Sequence, residues 1–167
     1  MNNTKQQKAG IILIDHTKNN KDSPLYLIVY SHKSRKFGFP KGTCEENECV
    51  SACARREFYE ETGFQLKEHV RFTSRYKIRN NTYYILNCYD NLDTLIHQKS
   101  LKIPDSNEIS YYQWVDNEEL LRLKTRCNLG LSSYINEVII SGNTYDNDTY
   151  QNTKMLKKQP RFLKFSS

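Results

Sequence analysis

The chain has 167 residues, with 25 Lys and Arg against 19 Asp and Glu, a net charge of +6 and 37% hydrophobic residues. That length suits one domain around a single core, and no stretch approaches the ~20 apolar residues of a membrane span or the apolar centre of a leader peptide. The five cysteines, Cys44, Cys49, Cys53, Cys88 and Cys127, follow no framework or metal-ligand spacing, so they read as small packing thiols of a soluble protein in a reducing, cytoplasmic setting.

Residues 1 to 8 are polar and expected to be loose. AGIILID (9 to 15) and LYLIVY (25 to 30) read as buried strands of a hairpin, joined by the polar stretch 16 to 24. SHKSRK (31 to 36) follows as a short basic loop. Its Lys33, Arg35 and Lys36 suit either phosphate contact or a solvated turn. The sequence pI near 9.0 fits a phosphate-rich partner, because an acidic centre needs a positive surround to attract a polyanion.

FGFPKG (37 to 42) is extended and then turns, since Pro40 forbids helix and Gly42 permits unusual φ. From about Glu46 the residues favour helix, until Gly63 supplies a cap. Val50, Ala54 and Phe58 form an apolar stripe on this helix, beside a patch made by Glu57, Glu60 and Glu61 at i, i+3 and i+4. Three like charges so close repel one another. A hard divalent cation with oxygen ligands, Mg²⁺ or Mn²⁺, removes the conflict; the plainer alternative is a solvated acidic face.

Downstream, 64 to 67 and 70 to 78 read as strands, with Arg71, Arg75, Lys77 and Arg79 on one face, followed by a strand over 82 to 89. Set against Tyr76, Tyr83, Tyr84 and Tyr89, these cations make either a platform for bases and backbone or an ordinary charged sheet face. Residues 92 to 103 have no clear period. NEISYYQWV (107 to 115) is a strand, 117 to 123 a helix capped by Asp116 or Asn117, and 129 to 140 a second amphipathic helix. One domain over 1 to 142 is expected, then a polar linker and a basic tail over 143 to 167 that carries Lys154, Lys157, Lys158, Arg161 and Lys164. Two strands, a helix, several strands and terminal helices suit an α/β/α sandwich.

Gly42, five residues, Glu48, seven residues, Arg56-Glu57-Phe58, one residue, Glu60-Glu61, one residue, Gly63-Phe64 resembles the Nudix box at every specified position. The resemblance implies a Nudix-type α/β/α sandwich with a mixed sheet and a catalytic loop-helix-loop, and hydrolysis of a phosphoanhydride with Mg²⁺ or Mn²⁺. It implies Glu57, Glu60, Glu61 and the main-chain carbonyl of Lys41 as metal ligands, with Gly42, Glu48 and Gly63 in support and Arg56 orienting the carboxylates. A further carboxylate outside the box, as metal ligand or general base, is expected at Glu108, ahead of the strand that carries Trp114.

FGFPKG, ACARREFYEETGF and NEISYYQW are similar to segments of the mRNA decapping Nudix enzymes. This implies capped RNA as the substrate and release of m7GDP, with Lys33, Arg35, Lys36, Lys41, Arg71 and Arg75 as phosphate contacts. The cellular decapping enzymes carry an all-helical regulatory domain ahead of the Nudix domain. The stretch before Gly42 has no room for one, so their activator partner is not implied and a compact form, as in large DNA viruses, is. Diadenosine tetraphosphate and diphosphoinositol polyphosphates are the alternative substrates, and a catalytically silent RNA-binding module is the alternative class.

Overall fold

In β1 (Lys8–Asp15), Ile12 and Ile14 join one buried cluster, while Ala9, Ile11 and Leu13 join another. Successive side chains of a strand point to opposite faces. A strand apolar on both faces therefore needs two covers. The odd-numbered face is covered by α1 (Val50–Thr62) through Cys53, Ala54 and Phe58. The other is covered by α2 (Asn117–Leu123) and α3 (Leu129–Tyr134), which runs on as a π-helical turn over Ile135–Ile140. The computed structural model, which describes residues 6–18 and 23–143, is thus the expected α/β/α sandwich. The linker and the basic tail from 144 onward lie outside the described residues.

The central sheet has seven strands. β1 pairs in parallel with β7 (Asn81–Cys88) along its whole length. It meets β2 (Leu25–Ser31) only at Ile14↔Tyr26 and Asp15↔Leu25. Beyond those two pairs the expected hairpin is prised open. β3 (Lys36–Gly38) adds to β2 and β4 (Lys41–Thr43) adds to β1, with Phe39 and Pro40 between them. Pro40 has no N–H to donate and breaks the ladder, yet its carbonyl oxygen still accepts from Ile11 N–H at 3.1 Å. This wedge carries Lys41 and Gly42 to the flank of α1.

β5 (Phe64–Leu66) pairs with β8 (Ile96–Gln98) as a separate two-stranded sheet. A 3₁₀ turn over Leu92–Thr94, capped by the Asn91 side chain, precedes β8. β6 (Ser74–Ile78) lies on β7, and β9 (Ile109–Val115) on β2. α2 starts at the Asp116 cap, whose carboxylate accepts from Glu119 N–H. Among the described residues no helix is long and apolar enough to cross a membrane.

Four expectations are corrected. α1 starts at Val50 rather than near Glu46, because Asn47 has φ 64° and the preceding turn is closed by Glu48, which accepts from Glu45 N–H. The strand expected over 70 to 78 begins only at Ser74. Tyr76 and Tyr83 are fully buried beneath α3, so they cannot form a binding platform with the exposed Arg75 and Lys77 on the opposite face. Cys44 and Cys53 are joined as a disulfide with Cα atoms 5.2 Å apart, tying the loop after β4 to α1, whereas Cys49, Cys88 and Cys127 are free.

Candidate active site

α1 is anchored by Phe58, fully buried, which contributes roughly 2–3 kcal/mol of apolar burial. It ends at Gly63, whose φ of 76° lets the chain leave sharply after Glu60 and Glu61. The anchored face puts Arg56 and the acids against β4.

Arg56 holds the cluster together. Its Nε and Nη2 donate to the two carboxylate oxygens of Glu48, both at 2.9 Å, in a bidentate pair. Nη2 also donates to the Thr43 carbonyl at 3.1 Å, and Nη1 to Glu57 at 2.9 Å and Glu60 at 3.2 Å. The bond to Arg56 depresses the Glu48 pKa. One guanidinium thus spans loop, strand and helix, with every acid it touches drawn from the sequence motif.

Glu61 lies deeper, with 6% of its surface exposed, and accepts from Lys41 N–H at 2.9 Å. Burial pushes its pKa up to about 8; the Lys41 N–H opposes the shift, while Glu57 and then Glu108 add to it. Glu57 is raised as well, chiefly by burial, with Arg56 opposing. Burial lowers the Lys41 ammonium pKa and Lys8 adds to this, against the pull of Glu61, Glu108 and Glu57. The Glu108 side chain is exposed, one residue before β9, and its charge is felt at both Glu61 and Lys41.

Gly42 is required by packing. A Cβ there would sit 2.0 Å from a Glu57 carboxylate oxygen. Gly10 faces Lys41 across the β1–β4 ladder, and Ile11 N–H bonds the Pro40 carbonyl oxygen. In that register the Lys41 N–H and C=O both point away from β1, and the N–H meets Glu61. The carbonyl is therefore turned to the same side as the buried acids.

The set fits a hard dication. All its donors are oxygens, and Glu61 is a buried acid with no side-chain counterion within hydrogen-bonding distance among the described residues. The three acids do not form one tight patch, because Glu60 is turned toward Arg56 and Glu61 toward Lys41. Among the described residues, the cluster of three potential ligand side chains with atoms within 4.8 Å of each other is Cys44, Glu48 and Cys53. Its sulfurs are bonded to each other and its carboxylate is held by Arg56, so it is no metal centre.

The other expected residues are more scattered. Lys33 and Arg35 lie exposed in the turn between β2 and β3, and Lys36 opens β3. His32, at the start of that turn, donates its N–H to the Glu108 carbonyl at 3.1 Å, which links the basic turn to the site. Arg71 is exposed and donates to the Glu68 carbonyl; Arg75 is exposed on β6 opposite Tyr84. Both sit on the side of Arg55, whose partners are the Lys67 and Val70 carbonyls. Sequence reasoning missed Tyr83 as a neighbour of the site. It is fully buried, its hydroxyl has no hydrogen-bond partner among the described residues, and Glu61 contributes to its raised pKa. Its strand is visible in the sequence, but not which face α3 covers.

Comparison with known proteins matches residues 4–131 to the NUDIX domain family. A Nudix hydrolase from Nitrosomonas europaea is 16% identical, covers 90% of this chain and 98% of its own, and superposes with a TM-score of 0.55. RenU, a Nudix hydrolase from M. smegmatis, is 14% identical over 82% of this chain and 86% of its own, with a TM-score of 0.51. An Ap4A hydrolase from C. elegans, solved as a binary complex, is 17% identical over 83% of this chain and 99% of its own, at a TM-score of 0.48. Identities this low show shared fold and leave the substrate open. With the family match spanning the sheet, the acidic helix and α2, the chain belongs to the NUDIX domain family, whose hydrolases act on phosphoanhydrides and generally use divalent metal ions such as Mg²⁺ or Mn²⁺.

Proposed function

We propose that the chain cleaves the 5′ cap of mRNA, with Glu57, Glu60, Glu61 and the Lys41 carbonyl as ligands for Mg²⁺ or Mn²⁺. The observation that carries the hydrolase assignment is Glu61, a buried carboxyl in the field of Glu57 and held by the Lys41 N–H. A dication bound among these oxygens supplies positive charge for the phosphate oxygens and lowers the pKa of water. The chain's own residues do the rest. Arg56 fixes Glu48, Glu57 and Glu60, so the acids need not reorganise during in-line attack. Glu108, exposed and in the field of Glu61, takes the proton of the attacking water. The basic turn joined to Glu108 through His32 contributes phosphate contacts from Lys33, Arg35 and Lys36.

Capped RNA as the substrate rests on the similarity of FGFPKG and NEISYYQW to the decapping enzymes and on the excess of cations. A second reading, hydrolysis of dinucleoside polyphosphates, is favoured by one feature. An open cleft of about 480 Å³ beside β9, lined by Ser106, Ser110 and Tyr112 among others, has room for one nucleoside. A substrate panel with Mg²⁺ and Mn²⁺ separates the readings: capped RNA of about twenty nucleotides, cap dinucleotide, diadenosine tetraphosphate and a diphosphoinositol polyphosphate. For decapping, kcat/KM on capped RNA should exceed that on cap dinucleotide by at least about tenfold at low salt, narrowing as salt displaces backbone contacts. Equal rates on both at every salt concentration would transfer the assignment to the dinucleotide reading.

A further inference from the structure

The loop between β4 and α1 is tied at both ends. Cys44 follows Thr43, the last residue of β4, and Cys53 lies in the first turn of α1; their bond closes a ring across 9 positions. The ring carries the exposed Glu45, Glu46 and Asn47, then Glu48 and the free Cys49. A Glu48 carboxylate oxygen lies within 4.8 Å of both sulfurs. The same carboxylate takes the bidentate grip of Arg56, and the Thr43 carbonyl beside Cys44 accepts another N–H of that guanidinium. The bond therefore lies beside both anchors that hold Arg56 from outside its helix.

The layers do not depend on this bond. α1 is anchored by Ala54 and Phe58, both fully buried, and the strands of the sheet pair outside residues 44 to 53. A cross-link over so short a ring chiefly restrains its own loop. Without it the loop keeps Cys44 N–H to the Gln7 carbonyl at 3.0 Å, Glu45 N–H to Glu48 at 2.9 Å and the Arg56 pair. Each sulfur suits both states. Cys53 Sγ is fully buried and 3.9 Å from the Gly42 carbonyl oxygen, which can accept from the thiol once the bond is open. Cys44 keeps 9% of its surface, next to the exposed Glu45, and is the sulfur a reagent reaches.

We infer that the Cys44–Cys53 pair is a site of thiol–disulfide exchange with dithiol partners, whose state sets how firmly Glu48 holds Arg56. A thiolate of the dithiol attacks Cys44 Sγ; the bond to Cys53 breaks, and Cys53 leaves as a thiolate that takes a proton from solvent. The partner's second thiolate attacks the partner's own sulfur in the mixed disulfide, and Cys44 leaves and is protonated in turn. Two electrons and two protons have then passed to the pair, and the partner has become a disulfide. Glutathione disulfide runs the exchange backwards. The bonded state orders the Glu48 loop. The opened state frees Glu48 to leave Arg56, and the glutamates of α1 lose their fixed spacing. The consequence for turnover rests on the hydrolase reading; the exchange itself does not.

The test uses the full chain with Cys49→Ser, which removes the exposed free thiol from the exchange. Native protein is treated with dithiothreitol or with glutathione disulfide, then alkylated and mapped by mass. Cys88 and Cys127 alone should be alkylated after glutathione disulfide, and Cys44 and Cys53 as well after dithiothreitol. On whichever substrate of the panel turns over fastest, kcat should fall at least about threefold when the bond opens, with KM within about twofold, and should recover on reoxidation. Adding Cys44→Ser, or Cys53→Ala if that does not fold, should give the lower kcat under both conditions. A smaller fall, a response that survives in that variant, a bond that opens only in denaturant, or Cys44 and Cys53 alkylated after glutathione disulfide overturns the switch. If no substrate is cleaved, the hydrolase reading fails by itself and a glutamate-specific protease decides the switch. Cleavage after Glu45 and Glu46 should then run at least about threefold faster in the opened protein, and a smaller difference overturns it.

Discussion

Arg56 and Arg122 are both helical arginines paired with glutamates of their own helix, Arg56 with Glu57 and Glu60, Arg122 with Glu118 and Glu119. Both include an i,i+4 pair. Their surroundings differ. The Arg122 side chain is 63% exposed and its partners lie in water, whereas that of Arg56 is 26% exposed and also grips Glu48 and the Thr43 carbonyl from outside the helix. Exposed pairs gain little, because water screens them and ordering two long side chains costs entropy. Charge pattern alone therefore does not make a site. What does is a second element laid over the charges, here β4, which buries Glu61 and removes water's competition.

The largest test of that contrast is removal of the buried charge. Glu61→Gln keeps the shape and should cut kcat by about 10²-fold or more, by steady-state assay, with the circular dichroism spectrum unchanged. A loss smaller than about tenfold would mean that the buried charge is dispensable.

Arg56→Lys comes next. An ammonium cannot make the bidentate pair with Glu48 while reaching Glu57 and Thr43. We expect kcat to fall about tenfold with KM little changed, and the same exchange at Arg122 to leave both constants alone. Equal behaviour of the two variants would erase the distinction between the arginines.

A smaller effect lies in the pH dependence of the metal-free protein. Glu61 has its folded pKa raised by burial to about 8, from the ordinary glutamate value of 4.5. The neutral acid is the form the fold prefers, so its contribution to stability is complete below the unfolded pKa and is lost as pH rises through the folded one. Between pH 5 and pH 8, with chelator present, Tm should fall by at least about 5 °C. Glu61→Gln should flatten most of that slope, and added Mg²⁺ should do the same. A slope that persists in Glu61→Gln would place its origin elsewhere.

Smallest of all, Arg122→Ala should move Tm by no more than about 2 °C and leave kcat/KM unchanged. A larger shift would show that the exposed pairs carry weight after all.

Much of the acidic cradle was legible because its parts are close in the chain and each has a forced partner. Three neighbouring glutamates need a cation, Arg56 can bridge to Glu48, and Gly42 leaves room for Glu57. The layers were legible too, since β1 is apolar on both faces. The wedge between β1 and β2 was not, because local patterning suggests a hairpin and cannot show that two short segments will intervene. The Cys44–Cys53 bond was hidden for a similar reason, its partners separated by a turn whose path depends on Asn47 at φ 64°. Tyr76 alternates with Arg75 and Lys77 as a surface strand does, and only the arrival of α3 buries it together with Tyr83. The wall over 101 to 106 has no period of its own and takes its shape from bonds to the end of α1.

The wedge also sets an order of assembly. It joins groups near in sequence: Arg56 reaches Glu48 across 8 positions, and Lys41 reaches Glu61 across 20. Closing such loops is inexpensive, and contacts of this range form early. Glu108 and the cleft floor come only after four further strands, and are in place when β9 docks on β2. On a ribosome releasing the chain from its N-terminus, the acidic cradle can close while the wall over 101 to 106 is still unmade. A half-synthesised chain would then carry its acidic cradle before the cleft beside β9 exists.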